Sequence, residues 1–193
     1  MVAGLVGVLA LQGDFAEHLQ VLKSLGKTGI EVRSAAELEA VDYLIIPGGE
    51  STTMLKLVER VELRDPLKKR IEAGMPVFGT CAGAILMAED VSDGEIPLGV
   101  LPVRIERNAY GRQVDSFETD LEVPILGATV KAVFIRAPAI ESIGEGVETL
   151  ARCAGRPVLV RRENVLAATF HPELAGEQRI HRWFLEAMVP GVA

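Results

Sequence analysis

The stretch Val77-Phe78-Gly79-Thr80-Cys81-Ala82-Gly83-Ala84-Ile85-Leu86 constrains this chain more than any other. A short apolar run ends in a Gly-x-Cys-x-Gly turn, and a second apolar run of helix-forming residues follows at once. That is the layout of a nucleophile elbow, in which strand, sharp turn and helix put the reactive side chain at the apex. Gly79 and Gly83 flank the turn because a strained residue needs neighbours without Cβ atoms if strand and helix are to approach closely. Cys81 would then sit at a helix N-terminus, where unpaired N–H groups and the helix dipole favour thiolate. The N–H of Ala82 is one such group and could stabilise an oxyanion. The competing reading is a buried structural cysteine, since free Cys is among the most buried residue types.

The segments around the elbow set the fold class. Val2–Leu11 reads as a first strand, apolar throughout and so covered on both faces. Asp14–Leu25 carries Phe15, Leu19, Leu22 and Leu25 at helical spacing and stops at Gly26. Ile30–Arg33 and Val41–Ile46 are further strands, the second ended by Pro47-Gly48-Gly49. Ser51 or Thr52 would cap a helix reaching Glu59, and another helix, with Pro66 in its first turn, runs to Ala73. Strands and helices alternating at this interval predict an α/β fold: an open, mostly parallel sheet with helices on both faces. Beyond Gly94 the texture changes. Val100–Glu106, Val114–Leu121, Val130–Ile135, Thr149–Arg152, Val158–Arg162 and Val165–Phe170 are strand-like with little helix between them. They predict antiparallel additions, at the sheet edge or in a small flanking sheet. Glu177–Met188 closes the chain as an amphipathic helix. No repeat or linker interrupts residues 1–193, so a single domain is expected.

Composition excludes several functions. A formal charge of −7 is unsuited to nucleic acid, whose phosphates are neutralised by Lys and Arg. The apolar N-terminal run is too short to span a bilayer and lacks a basic leader, so neither membrane nor export is expected. Cys81 and Cys153 form no disulfide framework and have no partners at metal-ligand spacing, which fits a reduced, cytoplasmic protein without a metal. Scarce asparagine and plentiful arginine lean towards a thermophilic source.

Two further segments carry chemistry. Thr169-Phe170-His171-Pro172-Glu173 follows an apolar strand, at the strand end where ligand sites gather in open α/β sheets. Pro172 keeps His171 extended, so Glu173, two residues on, points to the same side. A cysteine nucleophile needs a base that later protonates the leaving amine, and a carboxylate that orients that base. His171 lies 90 residues beyond Cys81, so only the fold can unite them; a surface histidine at a strand-end turn is the alternative. Pro47-Gly48-Gly49-Glu50-Ser51-Thr52 also joins a strand to a helix. It lacks the Gly-Lys-Ser/Thr of a phosphate loop, so a carboxylate or an oxyanion suits its backbone N–H groups better; a plain turn with a cap is the alternative. Arg107 and Arg136 interrupt strand ends, where each guanidinium would need a carboxylate, from a ligand or from a structural Asp or Glu. His18 reads as solvated or partner-facing, His181 as a surface residue, Cys153 as an inert thiol, and Trp183 and Phe184 as core.

Taken in order, Leu11–Phe15, Pro47–Thr52, Gly79–Gly83, Arg107-Asn108-Ala109-Tyr110-Gly111-Arg112-Gln113, Phe134–Pro138 and Phe170–Leu174 resemble the class I (triad) glutamine amidotransferases. Within them the chain is similar to the glutaminase subunits of pyridoxal phosphate synthase. The Gly-x-Cys-x-Gly and His-x-Glu elements mark the superfamily; the Gly-Gly-Glu-Ser-Thr and Arg-Asn-Ala-Tyr-Gly-Arg-Gln blocks mark the subfamily. The resemblance implies hydrolysis of L-glutamine to L-glutamate and ammonia, with Cys81 as nucleophile, His171 as acid and base, and Glu173 as its orienting carboxylate. It implies glutamine binding by Gly49, Glu50, Ser51, Arg107, Ile135 and Arg136, and an oxyanion hole from the amides of Gly49 and Ala82. No cofactor is implied. The implied partner is a synthase subunit that receives the ammonia and is required for activity; a physical form of that requirement is that docking reorients the Gly48-Gly49 backbone to complete the oxyanion hole. Ala84 and Ala175 depart from the usual pattern without touching a catalytic group. Two readings stand beside it: an elbow-cysteine hydrolase or peptidase, and a non-catalytic regulatory subunit of the same fold.

Overall fold

The computed structural model describes residues 4–107 and 116–190. Its centre is a seven-stranded sheet, built from β1 (Val6–Leu9), β2 (Gly29–Val32), β3 (Tyr43–Ile46), β4 (Val77–Thr80), β10 (Glu148–Cys153), β11 (Arg156–Arg162) and β12 (Val165–Ala168). The spatial order is β10-β11-β12-β4-β3-β1-β2. The five strands from β12 to β2 run parallel, and β11 and β10 add antiparallel at one edge. Two smaller sheets flank it: β5 (Ala88–Val91), β6 (Leu101–Glu106) and β9 (Ala139–Ile143), and the hairpin of β7 (Ser116–Val123) with β8 (Ala128–Ile135). The change of texture beyond Gly94 thus produces both expected outcomes, an antiparallel edge and flanking sheets.

Alternation along the central strands divides the interior into two cores. Leu44 and Ile46 of β3, with Val77 of β4 and Val165 and Ala167 of β12, join one core. Tyr43, Ile45, Phe78, Leu166 and Ala168, the intervening positions, join the other. A strand whose two faces are both buried reads as a continuous apolar run, as these do. The first core is covered by α2 (Ala35–Glu39), α3 (Ser51–Arg60), α4 (Arg64–Glu72) and α5 (Ala82–Met87), together with the three-stranded sheet. The second is covered by α1 (Phe15–Ser24), α6 (Arg179–Ala187) and the β7–β8 hairpin. Phe184 is fully buried there, and Trp183 packs against the same cluster.

Several local expectations are corrected. The first strand is shorter than its apolar run, covering Val6–Leu9. The cap of α3 is Glu50, whose carboxylate accepts from the Thr52 and Thr53 N–H groups, rather than Ser51 or Thr52. Four elements have no counterpart in the sequence reading: α2, a five-residue helix capped by Ser34, β5, β9, and a single 3-10 turn at Pro124–Leu126. No described helix is long and apolar enough to cross a membrane.

Because β1, β3, β4 and β12 are parallel neighbours, their C-terminal ends open on one rim. From β1 the chain steps to β2 on one side and then crosses back to β3 on the other, so the crevice where ligands gather in open α/β sheets lies at this rim.

Candidate active site

Four strand ends supply the site. β4 delivers Cys81, whose φ of 47° and ψ of −103° put it outside the ordinary regions for a side-chain-bearing residue. Such a turn persists only where its surroundings over-determine it. The Cys81 N–H donates to the Ala168 carbonyl (2.8 Å), and the helix behind it packs almost atom to atom. A Cβ on Gly83 would fall 2.1 Å from the Ile46 carbonyl oxygen, and one on Gly79 would fall 2.7 Å from the Gly83 backbone. The elbow expected from the sequence is therefore present, and its glycines serve close approach.

β12 delivers His171. Its pairing with β4 sets Ala168 beside Thr80, so chain positions 90 residues apart in sequence emerge side by side. The His171 N–H is then anchored to the Val133 carbonyl of β8 (2.8 Å). Its Nδ1 lies 2.7 Å from Glu173 Oε1, and the ring is within hydrogen-bonding reach of Cys81. Burial works against charge on His171, yet the bonds to Cys81 and Glu173 raise its pKa to about 10. Glu173 is buried behind the ring, and desolvation pushes its carboxyl above the usual range.

β1 ends in Gln12-Gly13-Asp14, a segment with no assigned role in the sequence reading. Asp14 precedes α1 without capping it, and its Oδ2 instead lies 3.4 Å from His171 Nδ1. Half-burial raises its pKa, opposed by the nearby His171. The ligand atoms of Asp14, His171 and Glu173 fall within 4.8 Å of one another, a spacing a metal ion could use. The hydrogen bond between His171 Nδ1 and Glu173 occupies the lone pair such an ion would need.

β3 ends in the Pro47–Glu50 loop, and the β1 loop fastens it. The Asp14 N–H donates to the Gly48 carbonyl (3.1 Å), and the Glu50 N–H to Gln12 Oε1 (2.9 Å). Gly48 lies against the imidazole, since a Cβ there would be 2.2 Å from His171 Cε1. Hydrogen bonds from Thr53 and Thr52 hold the Glu50 carboxyl down at about 2. Glu50 Oε1 is also 3.3 Å from Arg107.

These ends enclose a cleft of about 460 Å³ with Cys81 and His171 in its wall. Gly49, Glu50, Ser51, Arg107, Ile135 and Arg136 line it as well, and so do Gln12, Asp14, Ile85, Pro138 and Leu174, to which the sequence reading gave no role of their own. Ala82 is buried and is not one of the lining residues; it is the first residue of α5, next to Cys81, where a helix start leaves the N–H without an intrahelical partner. The two arginines differ. Arg107 is held by Asp93, Glu95 and Glu50 and by Thr52. Arg136 is exposed, has a φ of 42°, and forms no ion pair with the described residues. It is a cation lining the cleft without a counter-charge among the described residues. The block from Asn108 to Gln113 lies outside the described residues.

Two histidines were misjudged. His18 and His181, expected at the surface, are both fully buried. His18 Nδ1 lies 2.9 Å from His181 Nε2, and His18 Nε2 lies 3.2 Å from Thr80 Oγ1. Next to Glu17 and Arg182, each looks like part of a charged helix face. Only the fold reveals that polar partners wait on the inner side.

The profile of the SNO glutamine amidotransferase family matches residues 8–190. A pyridoxal 5'-phosphate synthase subunit PdxT of Thermus thermophilus is 56% identical over 186 residues, covering 95% of this chain and 97% of that protein. The PdxT subunit of a Parafrankia species is 53% identical over 190 residues, covering 96% and 94%. A crystal structure of a glutamine amidotransferase superimposes with a TM-score of 0.90 at 54% identity, covering 94% of this chain and 97% of the other. The structure of PurLQS from Thermotoga maritima shares the fold, with a TM-score of 0.73 at 17% identity over 95% and 97% of the two chains.

Proposed function

The chain belongs to the SNO glutamine amidotransferase family, and from that premise we propose that it is the glutaminase subunit of a pyridoxal 5'-phosphate synthase. Residues 1–193 act as one glutamine amidotransferase domain that hydrolyses L-glutamine to L-glutamate and ammonia. The observation that supports this most is the meeting of Cys81 and His171 in the wall of one cleft, with Glu173 behind the ring.

In this reading Cys81, His171 and Glu173 form the catalytic triad. The Cys81 thiol gives its proton to His171 Nε2, and its sulfur attacks the side-chain carbonyl carbon of glutamine. The tetrahedral oxyanion is met by backbone N–H groups of Ala82 and Gly49. His171, with Nδ1 taken by Glu173, gives the proton on Nε2 to the amide nitrogen, which leaves as ammonia. The γ-glutamyl thioester remains on the sulfur. Water then attacks it, His171 takes the proton, and glutamate departs as the thiol is restored. Arg136, free of any described counter-charge, receives the substrate α-carboxylate, and Glu50, Ser51, Arg107 and Ile135 complete the glutamine pocket.

The ammonia passes to the synthase subunit rather than to solvent, where protonation would remove its nucleophilic lone pair. Docking of that subunit completes the oxyanion hole. In a trans peptide the Gly48 carbonyl and the Gly49 N–H point in opposite directions, so a flip that re-aims the amide must break the bond from the Asp14 N–H. Two free cysteines suit a reducing compartment, and we assign the protein to the cytoplasm.

The test is glutamine hydrolysis by native protein and by Cys81→Ala, with and without the synthase subunit. Hydrolysis by the native complex, its loss in the variant by roughly 10⁴-fold or more, and continued synthesis from added ammonium are expected. A native complex that spares glutamine, or a variant that hydrolyses it normally, would overturn the reading.

A further inference from the structure

All three histidines of the chain lie in one continuous buried path. From the cleft it runs through His171 to Glu173, then to His18 on α1, and ends at His181 on α6. Glu173 Oε1 is the shared atom, 2.7 Å from His171 Nδ1 and 3.6 Å from His18 Nε2. His181 also meets Phe78 in a T-shaped contact, with ring centroids 5.4 Å apart. An apolar core gains nothing from two imidazoles unless they are bonded, because unpaired polar groups are costly to bury. Leucine or phenylalanine would fill the same space.

Counting protons assigns a direction. A neutral imidazole carries one N–H, so the 2.9 Å contact between His18 Nδ1 and His181 Nε2 needs a proton on one of the two. If it sits on His18, then the bare lone pair of His18 Nε2 faces the Glu173 carboxylate. If it sits on His181, then His18 carries its hydrogen on Nε2, between Thr80 Oγ1 and Glu173 Oε1. This second arrangement leaves His181 Nδ1 without a proton; that atom makes no hydrogen bond of good geometry, and the Glu177 backbone carbonyl is the polar group nearest in effect to the ring. The Glu173 carboxylate decides between the two, because at 3.6 Å it favours a hydrogen on His18 Nε2 over a bare lone pair. Burial depresses the pKa of both rings, that of His181 to about 4, so they stay neutral beside a charged His171. The charged and titratable groups facing the pair are Glu173, His171 and Glu177.

We infer that His18, held in its Nε2–H tautomer by His181, is a positioning residue that fixes the Glu173 carboxylate behind His171 and ties it to Thr80, the residue before Cys81. Glu173 needs such a hold, because its other oxygen, Oε2, is buried without a hydrogen-bond partner. The kinetic arm of this inference rests on the glutaminase reading; the tautomer does not.

The test combines ¹⁵N NMR of the three imidazoles in the full chain with kinetics of the synthase complex. Both His18 and His181 should give neutral Nε2–H signals at pH 6 to 8. His18→Phe, which keeps the shape and removes the donor, should lower kcat about 10- to 100-fold with KM within about two-fold. It should also move the His171 titration downward, and His18→Gln, which restores an N–H, should recover most of both. An Nδ1–H tautomer at His18 overturns the inference. So does a folded His18→Phe with native kcat and an unmoved His171 titration. Should His18→Phe not fold, the tautomer and the His181→Gln variant, which keeps a donor to His18 and should retain native kcat, decide it. If the native complex itself spares glutamine, the glutaminase reading fails and the tautomer alone judges the positioning role.

Discussion

Asp14 Oδ2 stands 3.4 Å from His171 Nδ1, the nitrogen that Glu173 Oε1 already holds at 2.7 Å. Two carboxylates therefore compete for one proton donor, one buried and close, the other half-buried and further away. Glu173→Gln removes the charge that stabilises the imidazolium and should cut kcat by about 10²- to 10⁴-fold. Asp14→Asn should cost less than 10-fold by the same reasoning, and the double variant should exceed the product of the two losses, because Asp14 partly substitutes for Glu173. Steady-state kinetics of the four proteins with the synthase subunit checks this; independent effects would show that Asp14 plays no such part.

The glycines of the elbow and of the neighbouring loop should fail in different ways. In Gly83→Ala the new methyl meets the Ile46 backbone carbonyl at 2.1 Å, which neither chain segment can yield without unpacking α5. A loss of about 3 kcal/mol in denaturant unfolding is expected. In Gly48→Ala the methyl meets the His171 side chain at 2.2 Å, and a side chain can rotate away. Stability should change little while glutamine turnover falls at least about 100-fold, since a misplaced base costs rate.

Arg136 and Arg107 should separate by kinetic signature. Arg136→Gln deletes a cleft cation that has no ion pair among the described residues, and it should raise KM for glutamine about 10- to 100-fold, the worth of one charge-assisted bond, with kcat affected less. Arg107→Gln leaves Asp93, Glu95 and Glu50 without their shared partner, so thermal stability should fall together with binding. Equal KM changes with unaltered melting in both would contradict this division.

Stability should fall on both sides of neutrality, for opposite reasons. His181 has a folded pKa depressed to about 4, so its contribution is present above 6.5 and is lost as pH falls from 6.5 through about 4. That group alone accounts for on the order of 3 kcal/mol. His171 has a folded pKa raised to about 10, so its contribution is present below 6.5 and is lost as pH rises through about 10. Chemical denaturation at stepped pH should show His181→Gln with a shallower acid limb and His171→Gln with a shallower alkaline limb.

The parallel half of the fold was legible because its strands are apolar on both faces and its turns are marked by glycine and proline. The elbow, the His-x-Glu pair and the Gly48-Gly49 loop were legible for the same reason: each sits at a strand end. What escaped had no local signal. β5 follows straight on from α5 and carries the exposed Glu89 and Asp90, and β9 holds exposed Glu141 and Ser142 among few apolar residues, so neither shows a clear period. Asp14 reads only as the first residue of a helix until the structure shows its carboxylate turned to His171. His18 and His181 lie 163 residues apart, and no pattern along the chain pairs them.

One consequence follows from the way β12 lies against β4. The pairing of Ala168 with Thr80 sends Leu166 and Ala168 into one core and Val165 and Ala167 into the other. A slip by a single residue would exchange those two sets and carry the imidazole about 3.3 Å from the sulfur. Correct filling of the interior and assembly of the reactive pair are therefore the same event, and a misaligned chain would be penalised for its packing before its chemistry was ever called upon.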